Sequence, residues 1–213
     1  MIPSSTIGKK ITVALTGAVL FGFVVGHLVG NLQVFLGPKV LNDYSAFLHS
    51  IPNALWAARI VLIISVLLHV VLTIQLTRLN RAARPIGYQS FAPNRSSIAS
   101  RTMIWGGMVV FFYIIYHLLH LTTGTVHPNF SRTDVYANLI NGLSIWYVAL
   151  FYIIANIALG FHLYHGVWSL FQTLGLNHPK YNAARRALAT IAGTGIALGY
   201  VSIPAAIFFG VIK

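Results

Sequence analysis

The sequence predicts an all-α integral membrane protein with five transmembrane helices. The chain is 57% hydrophobic and only 8% charged, and its mean hydropathy is +0.77. A soluble domain would have about a quarter of its residues charged. A transmembrane barrel would need alternating strands of about ten residues, a pattern that this sequence lacks. We therefore expect residues 1–213 to form one transmembrane domain.

Five apolar runs are long enough to cross the bilayer, which takes about 20 helical residues. They cover residues 11–36, 54–78, 102–124, 145–172 and 187–212. The first run follows Lys9 and Lys10 and continues for about 25 residues, too long for the apolar part of a cleavable signal peptide. We expect no signal cleavage.

The basic residues predict the orientation, because cytoplasmic loops are enriched in Lys and Arg. Most lie on one side: Lys9, Lys10, Arg78, Arg81, Arg84, Arg95, Arg101, Lys180, Arg185 and Arg186. Only Lys39, Arg132 and Lys213 fall on the other. We therefore place the N-terminus in the cytoplasm and the C-terminus outside, in the cell inner (cytoplasmic) membrane.

A net charge of +12 does not predict nucleic-acid binding here, because the basic residues sit at the ends of the runs and form no patch with aromatic residues between them. The basic loop at residues 79–101, which contains Pro85, Gly87, Pro93 and Asn94, has two interpretations. It supplies orientation charge facing lipid headgroups, or it is a docking surface for a soluble partner.

Composition also excludes several kinds of chemistry within the chain. There is no cysteine, which excludes disulfides, thiolate-bound metals and iron–sulfur clusters. Asp43 and Asp134 are the only acidic residues. We therefore expect no glutamate-based proton path across the membrane.

Four of the apolar runs carry a histidine, which is costly in a membrane unless it faces the protein interior and has a partner. At 1.5 Å of rise per residue, His27 and His117 lie roughly 24 and 22 Å from the cytoplasmic ends of their helices. His69 and His162 lie roughly 14 and 15 Å from theirs. The histidines thus form two pairs at two depths, each drawn from two different helices.

Two imidazoles on facing helices can ligate a haem iron from both sides. The sequence therefore predicts two bis-histidine b-type haems inside the five-helix bundle, an outer haem at His27 and His117 and an inner haem at His69 and His162. Depth leaves an ambiguity, because His120 and His165 each follow one of these histidines by three residues and share its helix face.

The first run has small residues every four positions, beside His27: Ala14, Ala18, Gly22, Gly26 and Gly30. Such a ridge lets another helix backbone, or a flat cofactor, approach closely. Both interpretations remain open from sequence.

Three segments resemble a known family: Gly26–Asn31 (GHLVGN), Tyr116–His120 (YHLLH) and Phe161–Ser169 (FHLYHGVWS). They are similar to the dihaem cytochrome b subunit of succinate:quinone oxidoreductases, also called succinate dehydrogenase or fumarate reductase. The similar type has a single membrane subunit with five helices and two haems. The resemblance implies His117 and His162 as ligands, and makes His120 and His165 candidates to contact a ligand or a haem propionate.

The resemblance also implies partners on the cytoplasmic face. A flavoprotein subunit with FAD oxidises succinate in the tricarboxylic acid cycle, and an iron–sulfur subunit relays the electrons. This chain would anchor both subunits and pass electrons to a quinone, menaquinone in our prediction, as part of an enzyme (respiratory complex II) whose dicarboxylate chemistry lies elsewhere. The complex can be a homo-oligomer.

The quinone site is predicted near the outer haem. The segment containing His49 and Ser50 resembles one in which relatives carry a carboxylate implicated in quinone chemistry. His49 either shuttles protons there or is a surface-loop residue. Asn31 and Arg59 are candidates for a haem propionate, and Asn31 also for the quinone. Arg59 has the alternative of reaching the outer headgroups.

Two other functions fit the same pattern. One is the cytochrome b subunit of another quinone-linked enzyme, such as a nitrate reductase or formate dehydrogenase, which also uses few helices and bis-histidine haems but whose distribution of ligands does not match this one. The other is a haem-free transporter or channel with a histidine-lined path.

Overall fold

In the computed structural model, which describes residues 4–83 and 98–213, every regular element is helical. The helices are α1 Thr6–Leu32, α2 Pro38–Ser50, α3 Pro52–Ala82, α4 Ile98–Arg101, α5 Met103–His117, α6 Val135–Leu143, α7 Trp146–Thr173 and α8 Asn182–Phe208. A 3₁₀ turn, Gln33–Leu36, extends α1, and a π-helical turn, Leu118–Thr122, extends α5.

Five helical segments are long and apolar enough to span a membrane, which confirms the prediction of five spans. They are Thr6–Leu36, Pro52–Ala82, Met103–Thr122, Trp146–Thr173 and Pro179–Phe208. Their outward faces are apolar: on α3, Ile63, Ile64 and Leu67 are each more than half exposed. Exposed aliphatic side chains in such numbers fit contact with lipid.

The predicted bounds were wrong by several residues where polar residues continue a helix. Helix α1 begins at Thr6, before Lys9 and Lys10, because Ser5 caps it by accepting a hydrogen bond from the Gly8 N–H at 3.0 Å. Helix α8 begins at Asn182, five residues before the predicted start. Lysine and arginine are good helix formers, so loss of hydropathy does not end a helix.

The spans pack in neighbouring pairs. Helix α1 packs along α3, α5 along α7, and α7 most extensively along α8, while α1 also contacts α7 and α8. Among the described residues, α1 does not pack closely against α5, nor α3 against α7. Any contact between α1 and α5, or between α3 and α7, must therefore be made by side chains that reach across the bundle.

The α7–α8 packing depends on a close approach of two backbones. A Cβ at Gly193 would lie 2.7 Å from the carbonyl oxygen of Gly160 and 2.9 Å from the Cβ of Tyr164. A Cβ at Gly160 would lie 2.9 Å from the Gly193 oxygen. Small residues at both positions allow this helix crossing.

We expect Gly193→Ala to destabilise the bundle by about 1–3 kcal/mol, because the methyl group overpacks the crossing. Gly195→Ala is the matched control, since a Cβ at Gly195 meets no atom within 4 Å and alanine is the better helix former. Thermal denaturation of both variants in detergent measures the difference. A Gly193→Ala protein as stable as Gly195→Ala would contradict this packing.

Two short helices, α2 and α6, were not predicted; they cover the end of the bundle that we call the α2–α6 end. The Asn42 side chain joins them: its amide nitrogen donates to the Asp134 carboxylate at 2.9 Å, and its Oδ1 accepts from the Tyr136 backbone N–H at 3.0 Å. Asp134 also caps α6, accepting from the Ala137 N–H at 2.9 Å. The Ala137 N–H, with Asn42, lowers the pKa of the Asp134 carboxyl below its usual value.

The core of this end is a cluster of buried apolar side chains contributed by the 3₁₀ turn after α1 and by α2, α6, α7 and α8: Val34, Leu41, Leu139, Leu143, Val148, Tyr152, Ile203 and Ile207. Both acidic residues also lie at this end, where Asp43 pairs with Lys39 at 2.5 Å.

Much of the basic loop lies outside the described residues, including Arg84, Pro85, Gly87, Pro93, Asn94 and Arg95. One basic residue of the same bundle end is buried: Arg185 stacks over the Trp168 ring at 5.0 Å and donates to the carbonyl of Leu176. Its charge therefore also joins α8 to the end of α7.

Candidate functional site

Two pairs of histidine rings from different helices are in contact inside the bundle. The rings of His27 on α1 and His117 on α5 have centres 5.8 Å apart, with planes 81° apart. The rings of His69 on α3 and His162 on α7 have centres 6.3 Å apart, with planes 59° apart. These are the two pairs predicted from depth, and each joins two helices that do not otherwise pack closely.

The ring separations suit a metal held between two imidazoles. An imidazole nitrogen binds a transition metal at about 2 Å, which puts the centres of two opposed rings about 6 Å apart. In the part of the chain that the structure describes, no group of three or more His, Cys, Asp or Glu residues could hold a metal. What each pair offers a metal is two imidazoles from two different helices.

Hydrogen bonding fixes the proton of His69. Its Nδ1 lies 3.1 Å from the carbonyl oxygen of Val13 and 3.2 Å from the hydroxyl of Thr16, both on α1. Since a carbonyl only accepts, Nδ1 carries the proton and Nε2 keeps a free lone pair. This is the arrangement that orients metal-binding histidines.

His117 has a related but longer contact. Its Nδ1 lies 3.5 Å from the hydroxyl oxygen of Tyr152, at the outer limit of a hydrogen bond. The same hydroxyl lies 2.9 Å from Nδ1 of His120. His27 stacks on Phe23, with ring centres 5.1 Å apart.

The fourth histidine has a buried orphan nitrogen. Nδ1 of His162 has no hydrogen-bond partner among the described atoms. A Cβ at Gly107 would lie 3.7 Å from this ring, so α5 approaches it closely. Beside it, a groove of about 290 Å³ between α5 and α7 is lined almost wholly by apolar residues, among them Gly106 and Phe161.

The small-residue ridge of α1 is only partly covered by protein. Ala14 and Gly30 are buried, but Ala18, Gly22 and Gly26 are exposed. A Cβ at Gly22 or Gly26 would meet no atom within 4 Å. Helix packing therefore does not account for the middle of the ridge, and the space beside His27 fits the flat-cofactor interpretation.

The structure separates the alternative histidines from the ring pairs. His120 stacks on His127 and Tyr116, at 4.9 and 5.3 Å between ring centres, and is only 1% exposed. His165 is half-buried on α7, where the ring that meets His69 is that of His162. The ring pairs are thus formed by His117 and His162, and not by His120 or His165.

The four remaining predicted residues lie in local contacts at or near the α2–α6 end. His49 and Ser50 are exposed and bond to the carbonyls of Ser45 and Phe47 on their own helix. Asn31 donates to the carbonyl of His27 at 2.6 Å.

Arg59 is half-buried and stacks on Trp56 at 5.0 Å. This contact with an exposed tryptophan fits an arginine near headgroups. None of Arg59, Asn31, His49 and Ser50 lines the groove at Gly106 and Phe161 or the cavity at Tyr116 and His120.

Sequence reasoning missed two residues that orient the histidines, Thr16 and Tyr152. Thr16 lies between two small residues of the ridge and offered a weak signal, because a hydroxyl inside an apolar helix needs a partner. Tyr152 lies 35 residues from His117, and no local pattern joins them. Comparison of the chain with protein-family models, curated proteins and solved structures gave no match.

Proposed function

We propose that this protein is a membrane cytochrome b that holds two haems, one between His27 and His117 and one between His69 and His162. The observation that carries the proposal is the pair of imidazole contacts at 5.8 and 6.3 Å, each joining two helices that are otherwise not packed together. Four unrelated histidines in the bundle core would not be expected to form two ring contacts between helices that do not pack closely.

The chain's own groups hold and shield such a site. The Val13 carbonyl fixes the proton of His69 on Nδ1. All four rings are half-buried, and in a membrane the apolar spans would keep bulk water away from them. A haem held by two of these imidazoles would have no free site for oxygen and would supply electron transfer.

More specifically, we propose the membrane subunit of a succinate:quinone oxidoreductase in the cell inner membrane. The resemblance of the three histidine segments supports this, as does the order of the ligands, one on each of the first four spans. The chain has no cysteine for an iron–sulfur cluster, so electrons would come from another polypeptide. The iron–sulfur and FAD-bearing subunits would dock at the basic end, opposite α2 and α6, on the cytoplasmic side, and menaquinone would accept the electrons.

A spectrum tests the cytochrome proposal. The full chain, expressed with sufficient haem and purified in detergent, is expected to show a b-type α band in its reduced-minus-oxidised difference spectrum and to contain two haems per chain. A purified, folded chain without that band would exclude the cytochrome and favour a histidine-lined transporter. Copurification from native membranes without flavin-bearing and iron–sulfur polypeptides would exclude the succinate complex but leave the cytochrome intact.

A further inference from the structure

Two arginines lie around one tryptophan at the basic end of the bundle, opposite the α2–α6 end. Arg185 and Arg186 are near the start of α8, and their guanidinium carbons lie 5.0 and 5.7 Å from the centre of the Trp168 ring on α7. Arg185 is only 7% exposed, whereas Arg186 is exposed. Two positive charges are therefore held side by side, one of them inside the protein.

The protein satisfies the charge of Arg185 only in part. Its two terminal nitrogens donate to the Leu176 carbonyl, at 3.2 Å, and to the side-chain oxygen of Asn182. Both acceptors are neutral. Nε of Arg185 is buried and has no hydrogen-bond partner among the described atoms. A buried charge without a counter-ion is costly, so this arginine calls for an anion nearby.

No acidic side chain of this protein can supply that anion. The sequence has two, Asp43 and Asp134, and both lie at the α2–α6 end. Asp43 pairs there with Lys39, and Asp134 caps α6. The C-terminal residue, Lys213, is at the same end, where its carbonyl accepts from the Tyr136 hydroxyl. An anion that neutralises the arginine pair would therefore come from outside the chain.

The arginine pair does not face the histidine contact at this end of the bundle. Trp168 belongs to an apolar cluster between α7 and α8, with Val167, Ala189 and Ala192. It follows His162 by six residues, which places the two side chains about 120° apart around α7. The ring of His162 contacts that of His69, on a different side of α7. A group bound between His69 and His162 would therefore not be the anion.

The surroundings of the pair fit a lipid headgroup. Next to Arg186, the outward side of α8 is apolar: Leu188 and Ile191 are 46% and 69% exposed. Tyr181, which is 56% exposed, and Trp168 flank the pair, and such rings are enriched at the level of the headgroups. A phosphate beside Arg186 would place its acyl chains along the exposed aliphatic side chains. Basic pockets between transmembrane helices bind the headgroups of anionic lipids.

We propose that Arg186 binds the phosphate of an anionic phospholipid, and that Arg185 strengthens the binding with its buried charge. Nε of Arg185 is covered by protein, so the phosphate contacts the exposed Arg186. The charge of Arg185 acts on it across a short distance of low dielectric constant. The site needs no haem and is independent of the proposed function.

Native mass spectrometry tests the site on the full chain, released from detergent after incubation with equal amounts of phosphatidylglycerol and phosphatidylcholine. The wild type is expected to retain phosphatidylglycerol preferentially. Arg186→Gln is expected to lower its retention about fivefold, the share of one basic residue near a membrane surface. Arg186→Lys keeps the charge and is expected to keep most of the binding. Arg81→Gln is the control, because it removes an equal charge from an exposed position at the same end of the bundle.

Equal retention of the two lipids by the wild type would overturn the proposal, and this comparison stands even if a variant fails to fold. The same loss in Arg81→Gln as in Arg186→Gln would also overturn it, because the attraction would then belong to the whole basic end. Full retention of phosphatidylglycerol by Arg186→Gln would exclude the lipid and favour a carboxylate from a protein partner. Displacement of the lipid by millimolar inorganic phosphate would assign the site to the free ion instead.

Discussion

Replacing His162 by alanine is expected to leave the protein with one of the two proposed haems. The centre of the His162 ring lies 6.3 Å from that of His69 on α3, so its loss removes one of the two proposed ligands of that site. The other ring pair, at His27 and His117, is left unchanged. Haem content per chain, measured on the purified variant as the pyridine complex, reports the loss directly.

His165→Ala is the matched control, because His165 lies on the same face of α7, one turn away, and is half-buried like His162. It is expected to retain both haems. The reverse result, two haems in His162→Ala and one in His165→Ala, would assign the ligand to His165.

The five spans were predictable because a helix in the bilayer needs about 20 apolar residues, and few other structures meet that need. Helices α2 and α6 could not be predicted, because they are short and their stability comes from contacts between distant parts of the chain. One such contact joins Asn42 to Asp134, 92 positions apart. Their local signals, Pro38 at the start of α2 and Asp134 as the cap of α6, were present but weak without that partner.

The histidine pairs were predictable for a geometric reason. All spans begin and end near the same two membrane surfaces and rise 1.5 Å per residue, so sequence position gives depth. Depth says nothing about rotation around the helix, which is why His120 and His165 remained alternatives. The structure shows the direction in which each side chain points around its helix. The ring of His117 contacts that of His27, while His120, on the π-helical turn, contacts Tyr152 and His127.

The cavity beside His120 had no counterpart in the sequence. Its parts come from the end of α5, the loop that follows it, and the start of α7, and the glycine that makes room for the ring stack, Gly142, is on α6. Only the folded chain brings these four segments together. A buried nitrogen without a partner is likewise visible only in three dimensions.

The pairing of the four histidines can be tested with two double variants. His27→Ala with His117→Ala removes both ligands of one site and is expected to leave one haem. His27→Ala with His69→Ala removes one ligand from each site and is expected to leave none. The same number of residues is changed in both proteins, so the difference reports the pairing and not the number of histidines lost.

Haem content and the reduced-minus-oxidised spectrum of each purified variant give the measurement. His49→Ala with His178→Ala serves as the control, because both histidines are exposed and lie outside the five spans. Retention of one haem by the His27 and His69 variant, with none in the His27 and His117 variant, would mean that the neighbouring helices α1 and α3 share a haem. The ring contacts argue against that outcome, since they join α1 to α5 and α3 to α7.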